Sequence, residues 1–250
     1  MPRADQLLVE RGLASSRSLA QRLITSGVRW QTHNGVWQNV SKNGDVLPND
    51  CKLHLVDDSE SRYVSRGGLK LEGALQATGL QVTGLRCIDV GQSTGGFTDV
   101  LLQSGAAHVT GVDVGQGQLH PKLQQDPRVR CIEKCNARTL SMELFAAEPK
   151  FDLAVADASF ISLTLLIPAI VNVVTPSGVL LLLVKPQFEL QLEDIGKGGL
   201  VKDPAKYQEV EKRLRACCAQ SDMEVLQWLP SPIAGGDGNR EFFMYGRRAT

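Results

Sequence analysis

The chain has 250 residues, 42% hydrophobic and 22% charged, and its 27 Lys and Arg balance 27 Asp and Glu. That composition excludes disordered and low-complexity classes and a surface coated everywhere in positive charge, while leaving a local basic face open. The longest apolar run, Val179 to Val184, falls far short of the ~20 residues a spanning helix needs, and the opening Met-Pro-Arg-Ala-Asp offers no secretory core. A soluble, cytoplasmic protein is expected. Cys51, Cys87, Cys131, Cys135, Cys217 and Cys218 form no Cys-x-x-Cys pair, and His33, His54, His108 and His120 are scattered. Neither a metal site nor a disulfide framework is expected.

The first sixty residues differ in texture from the rest. Leu7, Leu8 and Arg11 have helical spacing, and Gly12 stops the helix. Ser15 or Ser16 can cap a second helix with an apolar stripe of Leu19, Leu23 and Ile24, Arg17 and Arg22 facing outward, and Gly27 ending it. Short strand-like pieces follow, punctuated by Asn34-Gly35, Asn43-Gly44 and Pro48-Asn49-Asp50. Through Val56, seven Lys and Arg stand against four acids. A basic helical face can take a phosphate backbone, and a solvated charged face is the plain alternative. Arg3-x-Asp5-x-Leu7-Leu8-x-x-x-Gly12, with Ser16-Arg17, Ala20, Ile24 and Gly27, resembles the small alpha-L RNA-binding fold shared by a ribosomal protein and many pseudouridine synthases. That resemblance implies RNA contacts from Arg3, Arg11, Arg17 and Arg22. Trp30 to Val36 departs from that family's usual wording.

The polar stretch from Asp57 to Tyr63 reads as a linker, so a domain over 1–60 is expected to precede one over 61–250. Beyond it, strand candidates at Arg86–Val90, His108–Val114, Arg128–Glu133, Phe151–Asp157, Gly178–Lys185, Met223–Leu229 and Glu241–Gly246 intersperse with helical stretches. The helices are Leu69–Ala77, Gly96–Gln103, Met142–Ala147, Leu163–Val174 and Ala205–Ala219. This alternation predicts an α/β fold, a seven-stranded and mostly parallel Rossmann-like sheet with helices on both faces and ligands beyond its strand ends.

After the first strand, Asp89-Val-Gly91-Gln-Ser93-Thr94-Gly95-Gly96-Phe97 opens a helix, so backbone can approach a ligand and the helix start offers N–H groups. Asp113 ends the next strand, where an acid commonly binds a ribose diol. Ser93 stands at the central glycine position of the dinucleotide fingerprint, and nucleotide cofactors without a pyrophosphate, such as S-adenosylmethionine, do not need that fingerprint. Glycine-rich strand–helix turns also occur for structural reasons alone.

Four polar segments carry the chemistry. They are Ser65-Arg66-Gly-Gly-Leu-Lys70, Ala156-Asp157-Ala-Ser159-Phe160-Ile-Ser162, Val184-Lys185-Pro-Gln-Phe-Glu189 and Gly238-Asn-Arg-Glu241-Phe-Phe243. A lysine ending a buried strand at the ligand face is costly to place there, although it can snorkel to solvent. Asp157 could equally cap a helix.

With Asp113-Val-Gly-Gln-Gly-Gln-Leu119, Asn136-Ala-Arg138 and Gly196-Lys-Gly-Gly199, these segments resemble the TlyA-type ribosomal RNA 2′-O-methyltransferases, relatives of the FtsJ/RrmJ heat-shock methyltransferase. The likeness spans nearly the whole chain in order. It implies a catalytic tetrad of Lys70, Asp157, Lys185 and Glu241, and S-adenosylmethionine as cofactor. Gly91, Ser93, Thr94, Gly95 and Gly96 would run along its methionine moiety. Asp113 would meet its ribose, and Asn136 and Ala137 its adenine. Phe97 could pack on the cofactor or in the helix core. A lysine desolvated near a second cation can act as a base toward a 2′-hydroxyl, so Lys185 is assigned that role. Asp157 would orient it, while Lys70 and Glu241 hold the ribose. Arg66 and Lys197 would meet RNA, Lys197 from a mobile glycine-rich loop over Gly196–Lys202. The expected partner is ribosomal RNA or a ribosomal subunit, with cytidine riboses modified. The short N-terminus is similar to the group acting mainly on the large subunit. The competing classes are a non-catalytic RNA-binding assembly factor and a membrane-lytic hemolysin, a name relatives have carried. Asp157-Ala-Ser-Phe160 stands where ring-amine methylases place an Asp/Asn-Pro-Pro-aromatic motif.

Overall fold

The structure is a computed structural model that describes residues 1–14, 16–33, 35–56, 62–145, 148–235 and 238–248. The chain divides into two compact units, Met1–Arg66 and Gly67–Thr250.

In the first unit, helix α1 (Ala4–Glu10) buries Leu7 and Leu8 and is followed by Gly12 at φ +70°, where a side chain would be strained. Ser16 caps α2 (Arg17–Gly27), its Oγ accepting from the Leu19 amide at 3.2 Å. Ser15, the other expected cap, lies outside the described residues. Strands β1 (Val28–Gln31), β2 (Gln38–Asn39) and β3 (Lys52–Leu55) form an antiparallel sheet in the order β2-β1-β3. Of the expected turns, Lys42–Asp45 and Pro48–Cys51 are closed by backbone hydrogen bonds. The Asn34 of the third is outside the described residues. Leu8, Leu23, Val28, Leu47 and Cys51 build one small core.

A charge sits in that unit's interior. Asp5 is fully buried and accepts from Arg3 Nε at 3.0 Å, Arg17 Nη2 at 3.0 Å and Gln21 Nε2 at 3.4 Å. Arg3 above all, and Arg17 with it, hold the Asp5 carboxyl well below the usual carboxylate range. Of two arginines expected at RNA, Arg17 thus also clamps α2 to α1, while Arg3 pairs with Asp5 at the start of α1 itself. A third, Arg11, donates to the Cys51 carbonyl at 2.7 Å and to the Asn49 carbonyl, fastening α1 to the loop before β3. Because the depressed carboxyl is ionised in both states above the unfolded value, its stabilisation is present there and is lost as pH falls toward the folded value. Asp5→Ala is expected to destabilise this unit by about 2 kcal/mol, a buried-pair penalty discounted because both arginines are half exposed. Denaturant titration followed by the fluorescence of Trp30 and Trp37 checks this, and an unchanged midpoint would refute it.

The second unit runs α3 (Gly67–Thr78), β4 (Arg86–Val90), α4 (Gly96–Gln103), β5 (His108–Val112), α5 (Pro121–Gln124) and β6 (Val129–Ile132). It continues with β7 (Phe151–Ala156), α6 (Ile167–Val173), β8 (Val174–Val184), α7 (Lys206–Gln220), β9 (Met223–Pro230) and β10 (Phe242–Arg248). The seven strands lie in the order β6-β5-β4-β7-β8-β10-β9, and β10 is antiparallel to both neighbours. The central strands are almost wholly buried, as sheets covered on both faces require, so β7 and β8 read as apolar runs instead of alternating ones. Ile88, Phe145, Phe151, Ile170 and Leu180 belong to the main core.

The expected strands are all present, with shifted edges. β5 stops at Val112, and β6 spans only Val129–Ile132. β8 starts at Val174, because Val174 already pairs with Phe151 before a register shift. The helix expected over Met142–Ala147 is a 3-10 turn at Met142–Phe145, Ala146 and Ala147 lying outside the described residues. The helix expected over Leu163–Val174 is a 3-10 turn at Leu163–Leu165 followed by α6, whose early Pro168 lacks an amide hydrogen to continue an earlier turn. Of the expected linker, residues 57–61 are outside the described residues.

Candidate active site

Sheet order alone gathers three of the four expected catalytic residues. Asp157 follows β7, Lys185 follows β8, and Glu241 precedes β10. Because β10 runs antiparallel, its start lies at the same edge as the ends of β7 and β8. Phe242 pairs with Val184, which places Glu241 beside Lys185. Lys70 arrives from the first turn of α3.

The side chains meet as two ion pairs. Lys185 Nζ lies 2.6 Å from Asp157 Oδ1, and Lys70 Nζ lies 2.6 Å from Glu241 Oε2. Both lysine side chains are 11% exposed, so neither snorkels to solvent. Lys185 Nζ also donates to Ser159 Oγ at 2.7 Å. Burial pushes the Glu241 carboxyl above its ordinary range, opposed by Lys70 and then by Lys185, while Asp157 adds to the rise. Glu241 thus feels the other three, and the four form one cluster of two cations and two anions.

A cavity of about 620 Å³ opens beside them, lined by Gly91, Ser93, Asp113, Asn136 and Ala137 and, on the catalytic side, by Asp157 to Ile161. Asp113 accepts from the Ser93 amide at 2.8 Å and from the Gly115 amide at 2.7 Å, so it fixes the β4–α4 turn as well as facing the cavity. Gly91 has φ +83°, and a Cβ there would lie 2.8 Å from the Asp157 carbonyl oxygen. A side chain would therefore part the cofactor turn from the catalytic loop.

Beneath the turn, Thr98 Oγ1 donates to Asp89 Oδ2 at 2.7 Å and accepts from Gln92 Nε2 at 2.9 Å. Asp89 Oδ1 and Gln92 Oε1 are buried without a hydrogen-bond partner. Burial, with Asp157 and Asp113 nearby, pushes the Asp89 carboxyl up to about 7. Two acids, Asp113 and Asp157, border the cavity, which suits a cationic ligand with a ribose diol, and the cavity falls in the size range of small-molecule sites. The residues fit S-adenosylmethionine.

Residues 63–248 match the family described as FtsJ-like methyltransferase. The chain belongs to that family, in its TlyA branch. A 16S/23S rRNA (cytidine-2'-O)-methyltransferase TlyA of Mycobacterium tuberculosis is 43% identical over 254 residues, covering 99% of this chain and 90% of the relative. Hemolysin A of Brachyspira hyodysenteriae is 35% identical over 243 residues, 97% of this chain and 98% of its own length. A solved structure of a Streptococcus thermophilus protein bearing the hemolysin name has a TM-score of 0.76 and 40% identity, covering 99% of this chain and 88% of that one.

Several family-motif residues stand apart from the cavity. Thr94, Gly95, Gly96 and Phe97 are not among those lining it. Phe97 is buried and stacks on Phe243, ring centroids 6.1 Å apart, so it serves the helix core. Gly95 has φ +93° and sits where a Cβ would come within 2.3 Å of Leu123 Cδ1, which makes it a packing glycine. The loop expected to be mobile is joined to the segment before β10 through Asn239. Asn239 Nδ2 donates to the Gly199 carbonyl at 2.7 Å, and its Oδ1 accepts from the Val201 amide at 3.1 Å. Lys197 is exposed on that loop, and Arg66 closes the first unit.

Phe160 carries no role that the sequence pattern assigns. It is 90% exposed at φ +62°, its ring 5.0 Å from that of Phe188. It stands between the cofactor cavity and a second groove of about 730 Å³ lined by Leu165, Phe188, Leu192 and Ile195, with Arg138 on both. A non-glycine residue at positive φ is held there by its surroundings, and the Phe160 ring is turned out to solvent. Its neighbours Ser159 and Ile161 give no hint of that orientation. Among the described residues, no group of three or more His, Cys, Asp or Glu could hold a metal ion.

Proposed function

We propose that this chain transfers a methyl group from S-adenosylmethionine to the ribose 2′-hydroxyl of cytidine in ribosomal RNA, with large-subunit RNA the first target to test. The observation that carries the reading is the pair of ion pairs, Lys70–Glu241 and Lys185–Asp157, the latter reaching a cavity through Asp157. When bound, S-adenosylmethionine supplies an electrophilic methyl on a sulfonium. Gly91, Ser93, Asp113, Asn136 and Ala137 hold it. A ribose hydroxyl is a poor nucleophile until its proton has an acceptor and its oxygen is aimed, and the chain provides both. Lys185 takes that proton at Nζ after its ammonium has given up one of its own to solvent, and Asp157 and Ser159 fix where Nζ points. Lys70 holds the ribose, and Glu241 fixes Lys70.

A ribose inside a duplex cannot be reached by a cluster this deep, so the target nucleotide has to be splayed out and its base received elsewhere. Phe160 is the receiving face. Stacking is worth ~1–3 kcal/mol per base, so Phe160→Ala is expected to lower kcat/KM for RNA roughly tenfold or more, and Phe160→Trp to restore it. Equal activity of all three forms would dismiss that role. Arg3, Arg11, Arg17, Arg22, Arg66 and Lys197 supply contacts to the phosphate backbone, and the reading puts the protein with cytoplasmic ribosomes.

A binding-only assembly factor would have no use for the buried tetrad. No helix among the described residues is long and apolar enough to cross a membrane. The test is transfer of labelled methyl to ribosomal RNA and to separated subunits, with 2′-O-methyl positions mapped by reverse-transcription stops. Modification at a cytidine ribose is expected. Confirmed cofactor binding without transfer to any RNA form would overturn the reading in favour of the binding factor.

A further inference from the structure

The two halves of the Lys185–Asp157 pair come from different loops, each starting directly after one of two neighbouring strands, Asp157 after β7 and Lys185 after β8. The loop after β7 carries Asp157, Ser159 and Phe160 and ends at Ser162. The loop after β8 carries Lys185 and ends at Glu189. Glu189 is buried, yet its carboxylate is fully occupied. Oε1 accepts from the Leu163 amide at 2.7 Å, and Oε2 accepts from Ser162 Oγ at 2.6 Å and from Arg213 Nη2 at 3.2 Å. Arg213 Nη2 also donates to the Glu189 backbone carbonyl.

These contacts span three elements. Leu163 begins the 3-10 turn that leads into α6, where a carboxylate satisfies an amide with no partner in the turn. Ser162 passes the same anchor on by capping Thr164 at 3.2 Å. Arg213 ties the assembly to α7. A buried carboxylate costs much more than a buried apolar side chain unless it is held in this way. Its directed hydrogen bonds fix one arrangement of the two loops, which apolar packing would leave freer. Glu189 lines neither the cofactor cavity nor the neighbouring groove.

We infer that Glu189 is a positioning residue for the transfer step, locking the Asp157 loop against the Lys185 loop so that both catalytic groups keep their mutual geometry. The inference rests on the methyl-transfer reading above. A misplacement of about 1 Å by a distant substitution can cost ~10²-fold in rate, whereas substrate and cofactor contacts made elsewhere survive.

The experiment measures full-length wild type, Glu189→Ala, Glu189→Gln, Ser162→Ala and the surface control Glu224→Gln. For each, kcat and KM for ribosomal RNA, the cofactor Kd and the Tm are determined. Glu189→Ala is expected to lose ~10- to 100-fold in kcat while the RNA KM and cofactor Kd stay within about threefold. Glu189→Gln, which keeps an oxygen for the Leu163 amide and a polar group for Ser162, should recover most of the rate. Ser162→Ala removes one strut and should lose severalfold, which keeps the inference testable if Glu189→Ala fails to fold. Wild-type kcat in both Glu189→Ala and Ser162→Ala would overturn it. So would losses of KM, Kd and kcat together with no recovery in Glu189→Gln, the pattern of a merely structural residue. Absence of transfer by the wild type would instead remove the methyl-transfer reading, before any variant is compared.

Discussion

Replacing Lys185 by methionine is expected to lower methyl transfer by ~10²- to 10⁴-fold, the range that a positioned proton acceptor contributes. Methionine keeps the length and much of the stem packing but cannot accept a proton. Lys185 is not among the residues lining the cofactor cavity, so the Kd for S-adenosylmethionine should stay within about threefold of wild type. The substitution also strands Asp157 beside the remaining charges, because its Oδ1 has Lys185 Nζ at 2.6 Å as its ion-pair partner. Loss of rate through general disruption has therefore to be separated from loss of the base. The double variant Lys185→Met with Asp157→Asn removes the orphaned charge and should recover stability without recovering rate. Single-turnover transfer, calorimetric cofactor binding and Tm on the three proteins make the comparison. Lys185→Met retaining more than about a tenth of wild-type transfer would remove Lys185 from the role of base. A double variant as active as wild type would remove both residues from the chemistry.

Much of this site is legible in the amino-acid sequence because its strands leave little choice of residue. Strands β7 and β8 end in apolar runs, Leu153 to Ala156 and Val179 to Val184, each closed by a polar residue, and a buried parallel strand can hardly be written otherwise. Asp157 and Lys185 announce themselves because each ends such a run. The antiparallel placement of β10 between β8 and β9 is not written in its own residues, which would suit either direction. It comes from the register Phe242–Val184, and only that register makes Glu241 a neighbour of Lys185. Residues whose role depends on long-range packing are hidden in the same way. Gly95 and Phe97 look like cofactor residues in a glycine-rich turn, yet their surroundings are Leu123 and Phe243. Asn239 and Glu189 read as motif residues, and their hydrogen bonds reach about forty and twenty-five positions along the chain to loops no local pattern connects. Arg3 and Arg17 read as a solvated basic face because their shared partner, Asp5, is an acid whose burial the helix pattern does not suggest.

The pH dependence of stability should be set in large part by Asp89. Burial is the main cause that pushes its carboxyl from an ordinary 3.8 up to about 7, with Asp157 and Asp113 adding to the rise and Thr98 opposing it. The direction follows from proton counting. Between about 4 and about 7 the folded protein retains a proton that the unfolded chain has already lost, so stability falls as pH rises through that window and levels off above it. A shift of roughly three units corresponds to about 4 kcal/mol at full extent. Asp89→Asn removes the titration while keeping an oxygen for the Thr98 hydroxyl, which donates to Asp89 Oδ2 at 2.7 Å in the wild type. The variant should therefore be the more stable protein at pH 8, by several kcal/mol, and the gap should close steadily toward pH 4. Urea titrations of both proteins at unit pH steps, without cofactor, measure the gap directly. Curves that run parallel from pH 4 to pH 8 would mean that Asp89 titrates alike in both states. The strain beneath the cofactor turn would then have to come from the unpartnered Gln92 oxygen instead.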